Sequence, residues 1–459
     1  MSSDSGGHAG RAVDWADLVD YFATAPGPRR HRRAGRPLLG LEYEVLPVDP
    51  VTGRARPFLE TAGPGVGSVE AAFLGLLDRP GYSAAPGDSR PTTLLHGSAA
   101  VNLEPGGQFE LTGSPVEDLH QAADELRRMA ADFAASAAQQ GFVFLSHGAQ
   151  PVTLASEIEM VPKRRYRILA EHLARHGGRR HLDMMMRTGS IQISFDYENE
   201  ADAGRKLRAA LLATPVATAL FANSPFEEGR PCGLLCGRGA VWRETDLART
   251  GPVPPALYGD WSFERYARWA SAIPSVFVRD EDGGVAPAPE ASFAELMSGG
   301  IRGRRPILAD WELQLSALFT AVRLKQVIEV RCCDSTPPGT QMAGPAFWTG
   351  LLYHPASLAG TLELLAPYTG DWHALQRAAC RDGLQAPAGP TTRLRDLALE
   401  LVALARVGLQ ARGLGEERYL EPAEQWADSG RQPARQALEC FERGGLAAVL
   451  ERDRLPEEG

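Results

Sequence analysis

The stretch NLEPGGQFELTGSP at residues 102–115 sets two carboxylates, Glu104 and Glu110, on either side of a Pro-Gly-Gly turn, with Gln108 between them. Side chains alternate faces along a strand. Asn102 and Glu104 therefore share a face before the turn, and Gln108 and Glu110 share one after it. The same beat recurs in three other segments. In LEYEV, Glu42 and Glu44 oppose Leu41, Tyr43 and Val45. In SIQISFD, Ser190, Gln192, Ser194 and Asp196 oppose Ile191, Ile193 and Phe195. In VIEVRCC, Glu329 and Arg331 oppose Ile328, Val330 and Cys332. Solvated sheet faces mix Lys, Thr, Arg and Glu, whereas these faces hold acids and amides with a single Arg. Carboxylates crowded together raise one another's pKa values unless cations intervene. Hard divalent cations suit oxygen ligands, with Mg2+ the usual one where phosphates bind. The pattern predicts a metal-binding catalytic sheet of antiparallel type, apolar on one face and polar on the other.

The elements that must position these side chains follow from periodicity and end signals. A short amphipathic helix is expected over 14–23, a strand over 38–48, and a Gly-rich loop leading into a helix over 63–77. Ser114 reads as a helix cap, with Pro115 at the first helical position and Glu117 three residues after the cap. Leu119, Ala123, Leu126, Ala130 and Phe133 then recur at helical spacing, and Gly141 ends the run. Further strands are expected at 141–151, 188–197 and 325–334. Helices are expected within 160–178, over 202–224 with a break at Pro215, over 310–324, and through most of 345–454. Residues 1–11 read as disordered, and 26–37 as a basic connecting loop.

Composition excludes several classes. Acids outnumber bases, 57 to 48, for a net charge of -9. A nucleic-acid binder needs a basic footprint instead. Six cysteines in 459 residues make no disulfide framework, and Cys232 with Cys236 is not a zinc-finger pair. GPGVGS lacks both the Gly-Lys-Ser/Thr sequel and the dinucleotide spacing, so it reads as a helix entry. His172 and His176 stand four apart without the neighbouring Glu of a metalloprotease, and read as a surface pair. The first residues hold no apolar leader, and no apolar run reaches the ~18–20 residues of a membrane span. A soluble cytoplasmic protein is expected, monomeric or homodimeric, with small-molecule substrates and neither nucleic acid nor membrane as partner.

Six blocks occur in order: GLEYE, NLEPGGQFELTGSP, DMMMRTGSIQISFDY, ATALFANSPF, WRETDLARTG, and IEVRCCD followed by GPAFWTGLLY. In them the chain resembles, from about residue 12 to its C-terminus, the plant and proteobacterial type of glutamate–cysteine ligase, a family related to glutamine synthetase. The resemblance implies an α+β fold. A curved antiparallel sheet forms a bowl-shaped active site with helices packed outside, in one catalytic domain over 12–459 that is largely helical from about 345. It implies ATP as co-substrate and Mg2+ or Mn2+ as cofactor. ATP phosphorylates the γ-carboxyl of glutamate, and the amine of cysteine displaces phosphate. The product is γ-glutamylcysteine, for glutathione or a related thiol such as ergothioneine. By matching positions, the resemblance implies metal ligation by Glu42, Glu44, Glu104, Glu110, Gln192 and Glu329. It gives the catalytic roles to Arg331 and Glu329, with Arg331 stabilising charge on the transferred phosphoryl group. Lys163, Arg165 and Tyr166 are implied at ATP, and Arg187, Trp242, Thr245, Asp246 and Arg249 in the glutamate pocket.

The departures from the family pattern lie inside its motifs. Glu42-Tyr43-Glu44 stands for Glu-His-Glu, and Gln192-Ile193-Ser194-Phe195-Asp196 for Gln-Val-Asn-Leu-Asp. Arg331-Cys332-Cys333-Asp334-Ser335-Thr336-Pro337 stands for Arg-Gly-Ala-Asp-Gly-Gly-Pro. The carboxylates and Arg331 are kept, so phosphoryl chemistry is expected, with change concentrated at the acceptor. Two other readings remain open: a γ-glutamyl ligase with another amine acceptor in specialised metabolism, and a catalytically weak nucleotide-binding homologue.

Overall fold

The alternation at 38–48 becomes the central strand of the molecule. The computed structural model describes residues 10–23, 37–59, 67–86, 90–259 and 261–456. The basic loop at 26–36, most of the Gly-rich loop and residues 1–9 of the expected disordered start lie outside them. In chain order the strands are β1 Leu39–Val48, β2 Tyr82–Ala84, β3 Thr93–His96, β4 Ala99–Leu103, β5 Phe109–Thr112, β6 Val143–Leu145 and β7 Ser190–Phe195. There follow the hairpins β8 Phe226–Glu227 with β9 Arg230–Pro231, β10 Phe277–Arg279 with β11 Val285–Pro287, and β12 Val322–Leu324 with β13 Ile328–Asp334. Nine of them form one sheet in the order β12-β13-β7-β1-β5-β4-β3-β2, with β6 on the far end of β1. Its pairings are antiparallel.

Register puts the acids on one face. Glu44 stands opposite Glu110, Glu42 opposite Gln192, and Asn102 opposite Glu110. The other face carries Tyr43, Val101, Leu111, Ile191, Ile193 and Val330, all buried. Helices Leu119–Gln139, Glu200–Leu220 and Ala343–Leu352 pack on the sheet strands. Burial of that apolar face, worth roughly 1.5–3 kcal/mol per large side chain, holds the acids' face open to a cavity. A β-bulge between Val330 and Cys333 changes the alternation. Cys333 pairs with Ile191 and accepts from the Trp348 indole at 3.4 Å. Cys332, expected on the apolar face with Val330, lies instead in a chamber wall beside Arg331. An extra residue in a strand re-aims the side chains around it.

Four element expectations need correction. The helix after the Glu110 strand begins at Leu119, capped by Asp118, whose carboxylate accepts from the Gln121 N–H at 2.9 Å. Ser114 is drawn off by Glu125, which takes its N–H and hydroxyl, each at 2.7 Å. The strand expected at 141–151 is only Val143–Leu145. Helix Glu200–Leu220 runs through Pro215 unbroken. Proline leaves the carbonyl four residues back without its donor, and the Trp372 indole N–H supplies one to Leu211 at 2.6 Å. The helix expected over 310–324 stops at Ser316, and Val322–Leu324 is a strand whose Arg323 lies opposite Glu329. His172 and His176 do meet, with ring centroids 4.7 Å apart, but His172 is buried against Arg249, 3.2 Å away, rather than on the surface. Within the segment expected to be disordered, Arg11 forms an ion pair with Asp17. Among the described residues no helix is long and apolar enough to cross a membrane.

Candidate active site

The polar face of the sheet is the floor of a cavity of about 330 Å3. Glu42 and Glu44 reach it from β1, Glu104 from just after β4, Glu110 from β5 and Gln192 from β7. The turn between β4 and β5 closes by bonds from the Gly107 N–H to Glu104 and from the Glu104 N–H to Gln108, each 2.9 Å. Gly106 must be glycine, because a Cβ there would stand 2.2 Å from the Met186 carbonyl oxygen. Gln108 turns away from the cavity to bond the Gly106 N–H and the carbonyls of Met185 and Thr188, which ties the turn to the start of β7.

The walls are basic. Lys163, Arg165 and Tyr166 come from the start of helix Arg164–His176, Arg238 and Trp242 from helix Gly237–Arg243, Arg323 from β12 and Arg331 from β13. Tyr166 donates to the Leu103 carbonyl at 2.6 Å, which anchors this wall to the floor. Arg165 donates to Ser316 at 2.8 Å and stacks on Phe277. Arg238 stacks on Trp242 at 4.4 Å and donates to the Arg331 carbonyl at 2.9 Å. The Trp242 indole is fixed by the Phe319 carbonyl at 2.7 Å.

Charge is therefore segregated, with acids below and bases around. Burial pushes Glu42 up to about 7, with Glu110 and Glu329 adding to it. Burial likewise raises Glu44, Glu104 and Glu110, and neighbouring carboxylates reinforce the rise. Ser190 donates to Glu44 at 2.8 Å, and Asn102 and Thr112 donate to Glu110 at 3.0 Å. Gln192 donates its amide N–H to Glu44 at 3.1 Å. Its buried Oε1 accepts from no described group. An orphaned amide oxygen beside four cavity-facing carboxylates is a set of oxygen donors of the kind that could hold a hard divalent cation. Among the described residues, no three such side chains are already gathered into a closed ligand shell. Carboxylates directly opposite one another across a sheet repel.

Glu329, expected among the ligands, does not line the cavity. Its carboxylate lies between Arg323 and Lys325, at 2.5 and 2.6 Å, with Arg331 at 3.9 Å. Burial opposes its ionisation, but these three cations override it and hold its pKa at about 2. The structure brings Lys163, Arg165, Tyr166, Trp242 and Arg331 to the cavity with the four other acids and Gln192. The remaining glutamate-pocket candidates are elsewhere. Arg187 pairs with Asp183 and Glu227 at 2.7 and 2.9 Å. Thr245 donates to the Val241 carbonyl at 2.9 Å. Asp246 caps helix Leu247–Thr250 and pairs with Arg249 at 2.6 Å, while Arg249 also donates to Pro274 at 3.0 Å. These side chains are engaged with the scaffold, apart from the Arg187 Nε, which has no partner among the described residues.

Three cations escaped the sequence reading. Arg238 stands four residues before Trp242, so a helical i, i+4 spacing would have found it. Arg323 and Lys325 flank Glu329 across the β12–β13 hairpin. Arg323 falls in the segment expected to be helical, 310–324, which hid its pairing with Glu329, whereas Lys325 opens the expected strand 325–334.

The model of glutamate-cysteine ligase family 2 matches residues 38–452. A chloroplastic glutamate–cysteine ligase of Solanum lycopersicum is 37% identical over 93% of this chain and 79% of its own. That of Arabidopsis thaliana shows the same identity and coverage. A crystal structure of a glutamate–cysteine ligase from Francisella tularensis, in complex with AMP, superposes with a TM-score of 0.56 at 13% identity, over 91% of this chain and 87% of that one. It supports the mixed helix-and-sheet fold. The plant relatives also overturn the expected cytoplasmic address, since they are named chloroplastic. That expectation rested on a missing apolar leader, and plastid transit segments are Ser- and Arg-rich rather than apolar. Sequence, fold and cavity agree, and the chain belongs to glutamate-cysteine ligase family 2.

Proposed function

We propose that this protein is an ATP- and Mg2+-dependent ligase that joins the γ-carboxyl of L-glutamate to the amine of L-cysteine through a γ-glutamyl phosphate. The observation that carries the reading is the segregated cavity: four carboxylates and an orphaned amide oxygen on the floor, with Lys163, Arg165, Arg238, Arg323 and Arg331 around it. A polyphosphate brought alone to such a floor is repelled. Brought with divalent cations it meets opposite charge on both sides. Glu42, Glu44, Glu104, Glu110 and Gln192 are the residues that would hold Mg2+, which supplies charge neutralisation and orientation of the phosphates.

Lys163 and Arg165 draw the phosphates to the wall beside Tyr166. Arg331 lines the cavity from β13 and serves to stabilise charge on the phosphoryl group in transfer. Glu329 acts indirectly: held by Arg323 and Lys325, it keeps Arg331 against the floor. Arg238, stiffened by Trp242, faces the cavity as a fork for a substrate carboxylate. In the second step the amine forms the C–N bond, the C–O bond to phosphate breaks, and phosphate leaves.

The test is incubation with Mg-ATP, L-glutamate and L-cysteine, with the product identified by mass. Formation of γ-glutamylcysteine with stoichiometric ADP is expected. ADP release stimulated only by another amine would reassign the acceptor. No ADP release with any amine would leave a nucleotide-binding homologue.

A further inference from the structure

Asp334 ends β13, fully buried and outside the lining of the acid cavity. No step of the reaction uses it. Its Oδ2 accepts from the Asn223 N–H at 2.8 Å and from the Ser224 hydroxyl at 2.6 Å, and the Cys236 thiol lies 3.5 Å from its Oδ1. The same Ser224 hydroxyl accepts the Arg238 N–H at 3.1 Å, and the Ser224 carbonyl accepts the Gly237 N–H at 3.0 Å. Cys236 caps helix Gly237–Arg243 by accepting the Gly239 N–H at 3.3 Å. The start of the helix that presents Arg238 and Trp242 to the cavity is thus fastened to one buried carboxylate. The space around that carboxylate is closed: a Cβ at Gly148 would stand 2.4 Å from its Oδ2.

The Arg238 guanidinium meets the end of β13 twice. Its Nη2 donates to the Arg331 carbonyl at 2.9 Å, and its Nη1 lies 4.0 Å from the Asp334 Oδ1. Among the described residues, no other carboxylate comes as near to it. The spacing separates this pair from Asp246 and Arg249, which close to 2.6 Å and leave that arginine occupied. Asp334 stands back far enough to orient Arg238 without taking its fork, and the Arg238 Nε keeps no partner among the described residues.

We infer that Asp334, acting through Ser224, is a positioning residue that sets Arg238 for the carboxylate of L-glutamate. This rests on the reading of Arg238 as the fork for a substrate carboxylate. Side chains that bind a substrate hold their geometry only when the groups behind them are themselves locked. Asp334 and Arg331 share one strand, so the fork on the substrate and the cation on the transferred phosphoryl group take their places from the same piece of backbone.

A double-mutant cycle tests the assignment, read as KM for L-glutamate at saturating Mg-ATP. Asp334→Asn keeps the shape and removes the charge, and a thermal melt checks the fold. It should raise KM for L-glutamate about tenfold while KM for ATP stays within about twofold. Ser224→Ala is the milder change, and it carries the same test if Asp334→Asn does not fold. It should raise KM for L-glutamate about threefold. In an Arg238→Gln background neither change should raise KM further, because a residue that acts through Arg238 then has nothing to position. An unchanged KM for L-glutamate in the single variants, or an equal rise with and without Arg238, would overturn the inference. An Arg238→Gln variant with an unchanged KM for L-glutamate would instead bring down the carboxylate reading of Arg238, and this inference with it.

Discussion

Glu42, Glu44, Glu104 and Glu110 face a cavity that charges a cost for ionising them and gives them work only when they are ionised. A carboxyl whose folded pKa exceeds its unfolded value stabilises the fold below the unfolded pKa, and that stability is lost as pH rises through the folded value. For Glu42 the window runs from 4.5 to about 7. The melting temperature of metal-free protein should therefore fall as pH rises from 5 to 8. Mg2+ should raise it most at pH 8, because its ligands must be deprotonated. A melting temperature that climbs across this range without metal would contradict the electrostatics of the floor. Glu104→Gln removes one ligand and one buried like charge together. Mg2+-dependent turnover should drop by about 100-fold or more, while the metal-free melt at pH 8 stays level or rises. Full activity in that variant would remove Glu104 from the site.

At the scale of elements, the sheet was the legible part. Alternation placed Glu42, Glu44, Glu104, Glu110 and Gln192 on one face because the opposite face is uniformly apolar and a strand has only two faces. What was hidden depends on partners distant in sequence. Ser114 is a plausible cap until Glu125 claims it, and Pro215 looks like a break until the Trp372 indole meets the carbonyl it frees. The bulge at 331–332 has no local signature, so Cys332 was placed on the wrong side. Arg249 looked like a carboxylate fork, although Asp246, three residues before it in the same motif, already occupies it. The Pro215–Trp372 arrangement makes a double-mutant prediction. Trp372→Phe should cost about 1–2 kcal/mol from an unsatisfied buried carbonyl. In a Pro215→Ala background, where residue 215 regains its N–H, the same change should cost clearly less. Equal costs in both backgrounds would mean that the indole bond does not compensate the proline.

Across the whole molecule, the C-terminal helix is fastened to the sheet. Asp453 is fully buried and pairs with His147 at 2.7 Å and with Arg452, also at 2.7 Å. Its carbonyl accepts from the Ser146 N–H at 2.8 Å, and the Leu455 N–H donates to the Phe144 carbonyl within β6. Leu450 completes a small core with Leu46, Val48 and Leu145. The last helix thus clamps the far end of β1, the strand that carries Glu42 and Glu44. Asp453→Asn should destabilise the protein by on the order of 3 kcal/mol, because the partly buried Arg452 loses its carboxylate and the buried His147 its charged partner. Denaturant unfolding checks this, and a change below about 0.5 kcal/mol would mean that the clamp contributes little.

Phosphoryl transfer to the γ-carboxyl of glutamate at the acid floor is the central step of the proposed reaction. The most direct measurement follows oxygen. L-glutamate labelled with 18O in its γ-carboxyl is turned over with unlabelled Mg-ATP and L-cysteine, and the released phosphate is weighed. A γ-glutamyl phosphate requires one carboxyl oxygen to leave on phosphate, so about one 18O per phosphate is predicted. Turnover that yields unlabelled phosphate would contradict it.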